Sequence, residues 1–162
     1  MIFIGVATIL IICAIICYQY IPYKPKHSFS FKEANDLVGL PIITFYSNKQ
    51  KLHFLLDTGA DHSAFSNKHL NLIEHKLLDA QGTLTDAGGH TVNVGVAYMR
   101  LYYGNRPFDS YFQIVDMTPI SKAIGLTVKG QEIEILGVIG CDFLAKYEYI
   151  LDFSKMIAYS VK

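Results

Sequence analysis

Hydrophobic and polar positions divide the chain into three regimes. From Met1 to Tyr23 there is no charged side chain, and Ile2 to Tyr18 is almost wholly Ile, Leu, Val, Ala, Phe and Cys. That run approaches the roughly 20 apolar residues needed to cross a bilayer as a helix, so a single transmembrane helix is predicted over 1–21. A cleaved signal peptide is the rival reading, but a basic start and a small-x-small cleavage site are both missing before Ile21-Pro22. Next comes a polar stretch opened by Pro22-Tyr23-Lys24-Pro25-Lys26, read as a juxtamembrane linker over 22–36. From Leu37 the pattern changes to short apolar runs broken by turn residues, and 37–162 is read as one domain.

Within that domain, Pro41 to Tyr46 and Lys51 to Leu56 read as two strands joined by the polar turn Ser47-Asn48-Lys49-Gln50. Ser66 is placed to cap a helix from Asn67 to about Leu78, with Leu70, Ile73 and Leu77 on one face. Thr83 to Val96 centres two strands on Gly88-Gly89, a pair that tolerates the positive φ of a tight hairpin, with Val92, Val94 and Val96 alternating toward one face. A further strand follows the Gly104-Asn105 turn, from Phe108 to Val115. Thr118 to Glu134 reads as a loop-rich insertion. Ile135 to Ile139 reads as a buried strand, Gly140 as a sharp turn into a short helix, and Tyr149 to Tyr159 as a hairpin about Ser154-Lys155. The fold class is all-β with one or two short helices.

Charge narrows the functions. Fourteen Lys and Arg balance fourteen Asp and Glu, so no net field favours nucleic acid. Eleven Tyr and ten Phe without Trp then read as sheet packing. Tyr18, Tyr20 and Tyr23 suit an interfacial belt, and Lys24, Lys26 and Lys32 place the domain in the cytoplasm by the positive-inside rule. His53, His62, His69, His75 and His90 show no zinc-site spacing, so no metal or other cofactor is expected. Cys13 and Cys17 fall in the apolar run, and Cys141, alone in the domain, reads as a small buried residue.

One stretch stands out chemically. Phe54-Leu55-Leu56 runs straight into Asp57-Thr58-Gly59, and an apolar approach strips water from a carboxylate, which then needs hydrogen bonds or a task. The segment Phe54-Leu55-Leu56-Asp57-Thr58-Gly59-Ala60-Asp61-His62-Ser63 resembles the active-site stretch of retropepsin-like aspartic proteases. Ile139-Gly140-Cys141-Asp142-Phe143-Leu144 resembles their downstream hydrophobic-Gly motif and short helix, and the Gly88-Gly89 hairpin falls where that family has its flap. The matches run from about Pro41 to Tyr159.

The resemblance implies a closed retropepsin-like β-barrel with one catalytic aspartate per chain, Asp57, and an active site shared by a homodimer. Two carboxylates about 3 Å apart hold one proton between them, so one activates water while the other donates to the scissile carbonyl. It further implies that Thr58 braces the paired loops, that Gly59 lies beside the dyad, and that Ala60 and Asp61 contact the backbone of a peptide or protein substrate. The tip Asp86, Ala87, Gly88, Gly89 and His90 would close over that substrate. Asp142 is read as structural, near a helix amino terminus. The insertion is longer than in a minimal viral enzyme, and the carboxyl-terminal hairpin is closer to bacterial or cellular relatives. The expected function is a single-pass, membrane-anchored aspartic endopeptidase; the competing one is a membrane-bound dimerisation or peptide-binding module of the same fold that does not cleave.

Overall fold

Leu52, Phe54 and Leu56 alternate inward along β3 (Gln50–Leu56) and are all buried, while Lys51 stays in solvent, the period-2 pattern of a half-buried strand. β3 pairs with β2 (Ile42–Ser47) through a turn in which Asn48 and Lys49 both have positive φ, 46° and 66°. Two positive φ values match the right-handed twist of a hairpin. The computed structural model describes residues 27–85, 89–128 and 130–160.

β4 (Ala64–Ser66), β5 (His75–Thr85), β6 (Thr91–Tyr103), β7 (Arg106–Val115) and β10 (Ile135–Ile139) join this hairpin in a seven-stranded sheet ordered β2-β3-β10-β4-β7-β6-β5. Tyr46 of β2 also pairs with Tyr102 of β6, closing the sheet on itself. β3 and β10 run parallel, and β4 lies antiparallel to β10 on its other side. Phe45, Phe54, Phe65, Phe108, Phe112 and Phe143 fill the interior, with Phe45 and Phe54 edge to face at 5.5 Å. On β6 the core face carries Ala97, Met99 and Leu101; Val92, Val94 and Val96 share the opposite, more exposed face.

Five expectations are corrected. Residues 27–36 are no linker: β1 (His27–Ser30) pairs with β12 (Ile157–Ser160), α1 (Lys32–Val38) follows, and Phe29 and Phe31 are core residues, each 1% exposed. The helix expected to reach Leu78 stops at Leu72 as a 3₁₀ turn, Asn67–Leu72, and His75 onward is β5. Ser66 makes no capping bond there; its hydroxyl meets His69 Nδ1 at 2.9 Å. The insertion is less loop-rich than expected, holding α2 (Thr118–Ile124) and the strands β8 (Thr127–Val128) and β9 (Gln131–Glu132), which pair antiparallel; its Leu126, with Met117 just before the insertion, is buried against Ile42, Ala64 and Val138. Cys141 is exposed, at the first position of α3 (Cys141–Lys146).

The carboxyl-terminal hairpin forms as expected from β11 (Tyr149–Asp152) and β12, and β1 adds to it in a second sheet ordered β1-β12-β11. No helix among the described residues is long and apolar enough to cross a membrane. The predicted span over 1–21 lies outside the described residues.

Candidate active site

Parallel pairing of β3 with β10 matches Leu56 with Ile139, and both strands end at the same level. The chain leaving β3 therefore meets the chain leaving β10. The Asp57 amide donates to Ile139 O at 3.0 Å, the Cys141 amide to Ala60 O at 2.8 Å, and the Asp142 amide to Asp61 O at 3.2 Å. The Cys141 thiol donates to Thr58 O at 3.2 Å. Asp57, Thr58, Gly59, Ala60 and Asp61 thus form one loop, held by backbone bonds from the first residues of α3.

Asp57 is partly buried in the single chain. Its Oδ1 accepts from the Gly59 amide at 2.8 Å, and it makes no ion pair among the described residues. A Cβ on residue 59 would lie 3.1 Å from that oxygen, a tight contact that glycine avoids. Thr58 and Asp61 are exposed and Ala60 is partly buried. The result is an accessible carboxylate oriented by a backbone donor, with its second oxygen available to a proton, a water or another carboxylate.

Behind the loop lies a polar node to which the sequence assigned only one member. Ser63 is fully buried; its hydroxyl donates to Asp142 Oδ1 at 2.7 Å and accepts from the Gly140 amide at 3.0 Å, and its own amide reaches the same Oδ1 at 2.9 Å. The Phe143 amide donates to that oxygen as well, at 2.7 Å. Asp142 is therefore structural, as expected, and satisfies the Phe143 amide in the first turn of α3. Ser63 went unassigned; a hydroxyl directly before the apolar pair Ala64-Phe65 is the signal that marks a buried, bonded group.

Gly140 has a different reason from the one expected. Its φ of −94° is open to any residue. A Cβ there would stand 2.7 Å from His62 C and 2.8 Å from Ala60 O, so the glycine allows two backbones to touch.

Gly89 and His90 sit in the β5–β6 hairpin, Gly89 with φ of +81° as a tight connection requires. Asp86, Ala87 and Gly88 lie outside the described residues. Among the described residues no three His, Cys, Asp or Glu side chains gather as a metal site. A cavity of about 640 Å³ between α1, the β2–β3 hairpin and Leu126 includes none of residues 57–61, so chemistry, not size, places the candidate site.

No family model and no curated protein matches the chain. Among solved structures, the EIAV protease in complex with the inhibitor HBY-793 matches with a TM-score of 0.50 and 21% identity, over 70% of this chain and 93% of that one. At that identity the likeness speaks for the fold: the chain has a retropepsin-like fold.

Proposed function

We propose that this protein is an aspartic endopeptidase whose catalytic pair is made of Asp57 from each of two copies, anchored to a membrane by residues 1–21 with its folded domain in the cytoplasm. The observation that carries the reading is the Asp57 carboxylate, held at a fixed orientation by Gly59 N in a loop backed by α3, yet accessible and without a counter-charge among the described residues. One such group per chain cannot act as both acid and base, and a two-fold axis beside Asp57 supplies the second. At 3 Å separation the two share one proton, so water is deprotonated by the ionised member while the protonated one donates to the peptide carbonyl. Thr58 would brace the paired loops. The edge of the loop at Ala60 and the exposed Asp61 would take an extended peptide as an added strand.

The test is incubation of the full chain with a peptide library and identification of the products by mass spectrometry. Cleavage that disappears in Asp57→Asn while the variant melts like the wild type supports the dyad. Cleavage undiminished in Asp57→Asn rejects it, and an intact chain that binds extended peptides without cutting them establishes the non-cleaving module instead.

A further inference from the structure

Gln113 stands on β7 opposite Val96 of β6, so its side chain leaves the sheet on the face of Val92, Val94 and Val96, away from the core pair Ala97 and Phe112. A polar side chain on that face belongs in water, yet Gln113 is only 6% exposed. The β5–β6 hairpin covers it. Gln113 Nε2 donates to Thr83 O at 3.0 Å, and a Cβ on Gly82 would lie 3.1 Å from that nitrogen and 3.4 Å from Gln113 Cγ, so the glutamine lies against bare backbone.

Strand register shows that the hairpin is bent. Thr83 pairs with Asn93, three residues along β6 from Val96, and β5 is two strands away from β7. In a flat sheet the Cα atoms of Gln113 and Thr83 would stand about 14 Å apart, two strand spacings of about 4.8 Å one way and three residues of about 3.3 Å the other. A glutamine side chain falls short of that, so the arm of the hairpin folds over β7. It does so next to the Asp57 loop: Gln113 N donates to Ser63 O at 2.9 Å, and Ser63 is bonded to Asp142 and Gly140 behind that loop. One residue thus holds the hairpin by its side chain and the end of the loop by its amide.

We propose that Gln113 is a positioning residue of the peptide site: its bond to Thr83 O keeps the β5–β6 hairpin bent toward the Asp57 loop, so that an extended chain lying along Ala60 and Asp61 meets both. The inference rests on the reading that a peptide lies along those two residues, and it holds whether or not that peptide is cut. The bond is demanding of the side chain. Leucine has similar bulk but no donor, and an ionised glutamate would set oxygen against oxygen.

The probe is a random dodecapeptide library passed over the full-length Asp57→Asn chain in neutral detergent, which is expected to hold peptides without cutting them; the best-retained peptide is then titrated by fluorescence anisotropy. Adding Gln113→Leu to this parent should weaken its affinity at least about tenfold. Without peptide, hydrogen exchange should quicken over 82–85 and 91–94 but not over 57–63. Adding Gln113→Glu instead gives a readout that general loosening would not. Burial holds the new carboxyl above the ordinary value, so at pH 4.5 it is protonated and donates to Thr83 O as the amide does, whereas at pH 8 it is ionised and cannot. Its Kd should lie within about twofold of the parent's at pH 4.5 and be at least about tenfold weaker at pH 8. Each value is compared with the parent at the same pH, which cancels the titration of Asp61, His62, Asp79 and His90 on the segments that Gln113 joins. Should Gln113→Leu fail to fold, Gln113→Glu decides alone. Equal affinity of Gln113→Leu and the parent, unaltered exchange in the hairpin, or a Gln113→Glu ratio that is the same at both pH values overturns the proposal and leaves the peptide site standing; retention of no peptide by the parent overturns both.

Discussion

Asp142 Oδ1 accepts both the amide and the hydroxyl of Ser63, at 2.9 and 2.7 Å, across 79 residues of sequence. This contact locks the segment after Asp57 to the start of α3. Asp142→Ala strands a buried hydroxyl and the Phe143 amide, and should lower unfolding stability by about 2–4 kcal/mol. Asp142→Asn keeps an accepting oxygen and should cost about half as much or less. Urea titrations of the two variants check the order; equal losses would mean that the charge, not the accepting oxygen, matters.

Gly140→Ala places a methyl against the backbone of His62 and Ala60. Neither can move without moving the Asp57 loop, so the variant should lose about 2–3 kcal/mol and most of any cleavage. Gly95→Ala is the control, since its Cβ would meet only Ile114 Cβ, at 3.9 Å, an ordinary contact. Melting temperatures and cleavage rates of the pair separate a packing effect from a general dislike of alanine in strands.

His53 lies on β3 with its Nδ1 2.9 Å from Thr44 Oγ1, and burial first, then Lys51, hold its imidazole below the ordinary value. A depressed histidine favours folding when neutral, so its contribution is complete above about pH 6.5 and is lost as pH falls from there through the folded value. Melting curves from pH 8 to 5 should therefore fall more steeply for the wild type than for His53→Gln. Parallel curves would show that His53 takes no part.

A site shared by two copies makes rate depend on concentration. Specific cleavage activity should fall on dilution in detergent as pairs separate, and mixing in an excess of Asp57→Asn chains should depress it through mixed pairs. Constant specific activity in a species shown to be monomeric by sedimentation would end the shared-site reading.

The sequence made the β2–β3 hairpin and the Asp57 loop readable because each rests on adjacent residues: alternating Leu52, Phe54 and Leu56, then a compact acid-hydroxyl-glycine turn. It misled where distant partners decide. Leu70, Ile73 and Leu77 have helical spacing, but pairing of β5 with β6 captures residues from His75 on and leaves Leu77 58% exposed. Ser28-Phe29-Ser30-Phe31 carries the strand alternation, too briefly to outweigh its polar setting until β12 is known to lie beside it. The bracing role of Ser63 needed the same kind of information, since its partners Gly140 and Asp142 are remote in the chain.

His27 and Ser160 are register partners in adjacent antiparallel strands, which puts their Cα atoms about 5 Å apart. The described residues therefore begin and end side by side. A few residues would suffice to join those two points, and the chain could be reopened at the exposed Gly104-Asn105 turn without cutting a strand. Such a circularly permuted chain would keep Phe29 and Phe31 in the core, whereas a fragment trimmed to begin at Leu37 would leave their places empty.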